Sequence, residues 1–295
     1  MTQGSAKAVM VVNTKSRSGQ RSFDRACARF AELDYLVDAY AVDDPSKLSE
    51  TVTEALWSDP EILILGGGDG TISCLVDLMV GKGVRLGVLP LGTANSFSRS
   101  LGIPLDVNGA VDVIVNGAPR RIDLGMIGND YFANAAAIGI SPKIAETVPH
   151  LAKRWFGRAG YLSWAALQFL RFRPFTLIVG SGAEAQRLKV VEVRISNGAF
   201  HGGTELVESA KLDSGRIVVQ AVKGPFKRRL IHNWAASALR LKTRHEDVVE
   251  FSGTALEIAT EPPLPISIDG EVLAHTPTTA RIAPGVIEVM APRPA

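Results

Sequence analysis

From Ala6 to about Asp123, short apolar runs alternate with stretches in which apolar residues return at helical spacing. The pattern predicts strands over Ala8–Val12, Tyr35–Val42, Ile62–Leu65 and Arg85–Leu89. It predicts helices over Gly19–Leu33, Lys47–Ser58, Thr71–Val80, Thr93–Leu101 and Asn108–Asn116. Strands alternating with helices need right-handed crossovers, which give a parallel sheet covered on both faces. Residues 1–123 are therefore expected to form an open, Rossmann-like α/β domain whose ligand sits off the carboxyl ends of the strands.

Past Asp123 the period shortens and turns become frequent. Met126–Phe132 reads as a hairpin, and Phe175–Val179 as the partner of Arg187–Ser196 across Gly180–Ala183. Further strands are expected over Arg216–Val222, Val248–Ser252, Ala255–Thr260, Leu264–Ile268, Glu271–His275 and Thr278–Ala283. Residues 124–295 thus read as a mainly antiparallel β domain with helical insertions, its last residues packing back on the first domain. The boundary is expected near Arg121–Gly125, although no Pro/Ser-rich linker marks it.

The chain has 295 residues, 46% of them apolar, enough to bury a core in each of two domains. The only apolar run near the N-terminus, Ala8–Val12, is too short for a signal peptide, and Tyr161–Leu170 is too short and interrupted to span a bilayer. A cytoplasmic protein is expected. Cys27 and Cys74 lie in helix-like stretches at no metal-ligand spacing, which reads as a reduced, buried pair.

Net charge is only +2, yet it is unevenly distributed. Pro142–Pro174 carries net +5 and Lys223–Arg244 net +7, both interleaved with aromatic and aliphatic residues. Basic plus greasy chemistry suits an anionic membrane surface, with Lys153, Arg154 and Arg158 meeting head groups and Trp155, Tyr161 and Trp164 meeting acyl chains. The competing reading is a solvated cationic helix face over an ordinary core. Nucleic acid is disfavoured because the two windows are far apart and no recognised nucleic-acid motif accompanies them.

The strongest chemical signal is Gly66-Gly67-Gly68-Asp69-Gly70-Thr71, which follows the apolar run Ile62–Leu65. Four glycines in six residues add nothing to packing. They let a ligand reach backbone N–H groups at dihedrals that other residues avoid, as a nucleotide's phosphates require. The spacing is neither GxGxxG nor GxxxxGK[ST]. A carboxylate among phosphate-binding amides repels phosphate unless a cation or a ribose hydroxyl intervenes, so Asp69 implies Mg²⁺ or sugar recognition. A plain Asp-Gly turn would need only one glycine. A second strand–glycine–helix turn follows at Pro90–Asn95, where Gly92 and Thr93 can bind phosphate or cap the helix and Asn95 can aim its amide at a nucleotide.

These two turns, with Asn134–Pro142, Lys211-Leu212-Asp213-Ser214-Gly215 and Asp269-Gly270-Glu271, stand in the order seen in the diacylglycerol kinase catalytic family. From about Met10 to Val289 the chain resembles bacterial lipid kinases of the YegS and diacylglycerol kinase B type. The resemblance implies an ATP- and Mg²⁺-dependent kinase with an interdomain cleft, where ATP meets a hydroxyl of a membrane lipid. It implies that Gly66–Thr71 and Thr93–Asn95 hold the nucleotide while the Asn13–Gly19 loop closes over it. It further implies that Asp69 and Asp123 belong to a polar and metal network, and that Glu271 is the base. Association with the inner membrane face follows from the same likeness, and a homodimer is one assembly the chain could form.

The chain departs from the family pattern at Ser96 and Ser214, where many members carry Asp. Hydroxyls bind Mg²⁺ weakly, so the accessory metal site is weakened, and Asp213 reads either as a third metal ligand or as a structural turn residue. Two rival functions remain: a soluble-substrate kinase of the NAD kinase kind, which shares the Gly-Gly-Asp-Gly turn, and a catalytically silent lipid- or nucleotide-binding protein. Retention of Asp69 and Glu271 argues against the second. Phe200-His201-Gly202-Gly203 mimics an esterase oxyanion motif, but no Gly-x-Ser-x-Gly elbow accompanies it.

Overall fold

The computed structural model describes residues 8–15, 19–139, 173–224, 247–268 and 271–293. The first half runs Ala8–Asn13 (β1), Gly19–Glu32 (α1), Val37–Val42 (β2), Leu48–Trp57 (α2), Ile62–Gly67 (β3), Asp69–Val76 (α3), Arg85–Pro90 (β4), Ser96–Ser100 (α4) and Val107–Asn116 (α5). The second half supplies Ala118–Ile127 (β5), Asp130–Phe132 (β6), Ala135–Gly139 (β7), Phe175–Val179 (β8), Gln186–Ser196 (β9), Phe200–His201 (β10) and Thr204–Glu205 (β11). It continues through Ile217–Lys223 (β12), Val248–Gly253 (β13), Ala255–Glu261 (β14), Pro265–Ile268 (β15), Glu271–His275 (β16) and Thr278–Ala291 (β17).

Strands β2, β1, β3 and β4 lie side by side, all parallel. The apolar runs of β1, β3 and β4 are buried on both faces, as expected where helices cover both sides, whereas the edge strand β2 is mostly exposed. Helix α1 packs with α5, reinforced by the Arg29 guanidinium on Asp112, while α2 packs with α3. The order 2-1-3-4 makes β1 and β3 the point where the chain reverses direction across the sheet. Asn13 ends β1 and Gly66-Gly67 end β3, so both fall at the crevice where α/β sheets hold ligands.

The second half is antiparallel, with β16, β15, β7, β9, β8 and β14 in adjacent positions and β12 and β13 branching from β9. Val193, Ile195, Val219, Ile138, Ile266 and Phe175 form its buried cluster. Among the described residues, no helix is long and apolar enough to cross a membrane.

Arg121–Gly125 lie inside β5, a continuous strand paired along much of β17. Two sequence expectations need correction. Strand β17 runs past Ala283 to Ala291, through a bulge at Pro284-Gly285-Val286, and then pairs in parallel with β4. The last strand therefore joins both halves into one sheet. Pro284 and Gly285 imitate a strand end, yet a bulge accommodates them. Finally, Cys27 is half-buried on α1 and Cys74 exposed on α3, so they are not a buried pair.

Candidate functional site

Both glycine turns meet at the carboxyl end of the parallel sheet. Gly67 pairs with Pro90 across β3 and β4, and Leu91 N donates to Gly67 O at 2.9 Å. A Cβ on Gly92 would stand 2.5 Å from Gly68 Cα, and one on Gly67 would stand 2.5 Å from Thr71 Cβ. Close approach is what these glycines supply. None of Gly66, Gly67, Gly68 or Gly92 adopts a positive φ, so the expectation of special dihedrals is replaced by one of steric clearance. Sequence counts show that glycine is required but do not say which requirement holds.

Gly68 is the cap residue of α3 and contributes no side-chain cap, and it lies against Gly92, so the first turn of α3 opens beside the second glycine turn, where Gly92 and Thr93 are exposed. Asp69 opens this helix. Its Oδ1 accepts from Phe97 N at 3.0 Å, tying α3 to α4, and its Oδ2 has no hydrogen bond among the described residues. Asn13 Nδ2 donates to Thr71 Oγ1 at 3.3 Å, joining the end of β1 to the same turn.

Asn95 behaves differently from its sequence reading. It sits at φ +48°, ψ +46°, a conformation Asn tolerates better than most residues, and is 6% exposed. Its Oδ1 accepts from Gly92 N at 2.8 Å, and its Nδ2 donates to Gly92 O at 2.9 Å and Pro90 O at 3.3 Å. The amide fixes the shape of the turn and leaves Gly92 and Thr93 exposed. The left-handed residue also delays the helix, so α4 begins at Ser96 instead of Thr93.

Asp123 lies opposite the β17 bulge. Its Oδ1 accepts from Gly285 N at 2.8 Å and its Oδ2 from Gly215 N at 2.6 Å. Its own N–H donates to Leu212 O, and its carbonyl accepts from Asn197 Nδ2 at 2.8 Å. The carboxylate thus satisfies the amide that the bulge unpairs and anchors the Lys211–Gly215 turn. Asp213 is half-exposed and paired with Arg120 at 2.6 Å. Among the described residues no group of three or more His, Cys, Asp or Glu could hold a metal, so Asp69, Asp123 and Asp213 are not brought together as one ligand set. Asp123→Ala is expected to cost about 2–4 kcal/mol of stability, because two partly buried amides lose a charged acceptor. Chemical denaturation of the variant checks this, and a wild-type midpoint would contradict it.

Glu271 is exposed at the start of β16. Register aligns Glu271 with Ile268 and Ile268 with Ala136, two strand spacings or about 10 Å across. Two residues before Ala136, Asn134 Oδ1 accepts from Ser100 Oγ of α4 at 3.3 Å, so this row of the second half begins beside α4. Asp269 and Gly270 lie outside the described residues, as do Lys153, Arg154, Trp155, Arg158, Tyr161 and Trp164 of the expected membrane face.

Sequence reading missed the hairpin formed by β10 and β11. Gly203 N donates to Ser96 Oγ at 3.1 Å, and Asn134 Nδ2 to Phe200 O at 2.5 Å. His201 Nε2 contacts Ser196 Oγ at 2.7 Å. Burial, together with the Arg194 guanidinium, pulls the His201 pKa down to about 3, so the ring is neutral. Arg194 itself is buried, bonded to Glu192 and Gln220.

Residues 7–127 match the family model described as the diacylglycerol kinase catalytic domain, and residues 134–291 that of the YegS C-terminal NAD kinase beta sandwich-like domain. A curated diacylglycerol kinase of Staphylococcus aureus (strain MRSA252) is 28% identical, covering 93% of this chain and 90% of its own. One from Staphylococcus epidermidis (strain ATCC 12228 / FDA PCI 1200) is 27% identical, covering 94% and 90%. The crystal structure of a diacylglycerol kinase from Bacillus anthracis str. Sterne superposes with a TM-score of 0.75 at 19% identity, over 99% of this chain and 98% of that one, which establishes the shared fold.

Proposed function

This chain belongs to the lipid kinase family assembled from a diacylglycerol kinase catalytic domain and a YegS C-terminal NAD kinase beta sandwich-like domain, and from that premise we propose that it transfers the γ-phosphate of ATP to a free hydroxyl of a membrane lipid. Diacylglycerol, phosphatidylglycerol and sphingoid lipids carry suitable hydroxyls. The observation that carries the reading is the uncapped start of α3 facing Gly92 and Thr93 at the sheet's reversal point, with Asp69 Oδ2 open beside it.

These residues fit a triphosphate. Backbone N–H groups at a helix start bind phosphate oxygens, and bare Cα atoms let the chain approach closely. They also fit one Mg²⁺, which takes one or two protein carboxylates and completes its shell with water and phosphate oxygens. Asp69 would hold it, and when bound it would neutralise charge on the transferring phosphoryl group. Asp123, already engaged by two amides, supports the scaffold.

In the proposed step the lipid hydroxyl oxygen bonds to the γ-phosphorus as the bond to the β–γ bridging oxygen breaks. The hydroxyl proton passes to the Glu271 carboxylate, and ADP leaves. Phosphoryl transfer needs positioning and charge stabilisation more than covalent help, so two glycine turns and one base are a sufficient set. The two halves would meet around the substrates in a cleft.

Substrate of this kind lies in a membrane, and the basic, aromatic windows supply the surface for it. Reversing Lys143, Lys153, Arg154 and Arg158 to Glu is expected to weaken binding to anionic vesicles at least about tenfold, each basic residue near the surface contributing about 1 kcal/mol. Equal sedimentation with neutral and anionic vesicles would argue against the membrane role.

A further inference from the structure

The turn at Pro90–Asn95 is held from two sides. From the first half, Asp69 Oδ1 accepts the Phe97 N–H. From the second half comes the hairpin β10–β11, whose two turn residues, Gly202 and Gly203, have φ of +56° and +84°. Gly203 N donates to Ser96 Oγ, and a Cβ on Gly203 would stand 3.2 Å from Ala94 O. Ser96 and Ser100 are one helical turn apart, on one face of α4. Ser100 reaches Asn134, whose Nδ2 donates to the hairpin carbonyl of Phe200. The hairpin is fixed in turn to β9 by the contact of His201 with Ser196, and its base is closed by the Leu206 and Val207 N–H groups on Ala199 O.

We infer that the Phe200–Glu205 hairpin is a positioning clamp that sets the second phosphate turn, through the Gly203 N–H on Ser96 and the bare Gly203 Cα against Ala94. The inference rests on the reading of Gly92 and Thr93 as nucleotide contacts. It adds that nucleotide affinity depends on a backbone contact from the half that carries the lipid-side base. It also gives Ser96 a use of its own: its hydroxyl accepts the hairpin amide. Ala94 lies next to the exposed Thr93, so pressure from a side chain at 203 would reach the phosphate-facing residues directly.

Calorimetric titration with ATP and Mg²⁺, together with steady-state kinetics, tests the clamp in the full chain. Gly203→Ala adds a methyl against Ala94 in a strained conformation and is expected to weaken ATP binding about tenfold. Ser96→Ala removes only the acceptor and is expected to weaken it about three- to tenfold, also if Gly203→Ala folds poorly. In both variants the lipid KM stays at the wild-type value. Gly202→Ala introduces similar backbone strain but meets nothing within 4 Å, and is expected to bind ATP as the wild type does. Unchanged ATP affinity in Gly203→Ala and Ser96→Ala overturns the clamp, as does an equal loss in Gly202→Ala. A wild type that takes up no ATP overturns the phosphate-turn reading itself, a distinct result.

Discussion

Glu271→Gln is expected to lower kcat by about 10²–10⁴-fold, the range a positioned general base contributes, while ATP binds as before. The side chain is exposed at the first residue of a strand, so an isosteric amide there removes no buried contact and the fold stays intact. A collapse of turnover therefore reports the lost proton acceptor. The pairing of Glu271 with Ile268, and of Ile268 with Ala136, connects the residue through three adjacent strands to Asn134 and α4. Wild-type kcat in a mixed-micelle lipid kinase assay would remove Glu271 from its role.

Asp69→Asn is the second variant with a large expected effect. Its amide oxygen can still accept the Phe97 N–H, so the link between α3 and α4 is retained while the carboxylate charge is lost. Turnover is expected to fall by about 10²-fold or more, since a bound cation contributes several kcal/mol of transition-state charge stabilisation. The apparent Mg²⁺ requirement should rise with it. Asp69→Ala should do further damage by freeing α4 as well. Full activity of Asp69→Asn at every Mg²⁺ concentration would show that the carboxylate takes no part.

Much of the first half was legible because strand and helix periods differ and its strands are short, mainly apolar runs: Ile62–Leu65 is apolar throughout, and Arg85–Leu89 is apolar apart from its first residue and Gly87. The pairing of Phe175–Val179 with the strand that ends at Ser196 was legible for the same reason, with glycines marking the turn. The path of β17 was not, because Pro284 and Gly285 carry the chemistry of a strand end while Asp123, 162 residues away, accepts the amide the bulge exposes. A carboxylate that serves backbone donors has the same sequence signature as one that serves a metal.

The site divides along the same line. The glycines at 66–70 and 92 announced a close approach of backbone, and Asp69 between them announced charge. Asn95 was read as reaching outward, yet its side chain folds back on Gly92 and Pro90, a direction that composition cannot encode. The Gly203 contact escaped notice because a main-chain N–H identifies no residue type, and its partner Ser96 lies 107 positions away. What sequence does offer is the serine pair at 96 and 100, spaced for one helix face.

In the proposed reaction a backbone cradle carrying one acid works with a carboxylate from the other half to phosphorylate a lipid. Incubating the full chain with a total membrane lipid extract, NAD and ATP labelled in the γ-phosphate, then identifying products by mass spectrometry, tests it most directly. Label is expected in one class of phosphorylated lipid, and none when Glu271→Gln replaces the wild type. Label in NADP with the lipids untouched, or lipid labelling that survives Glu271→Gln, would contradict it.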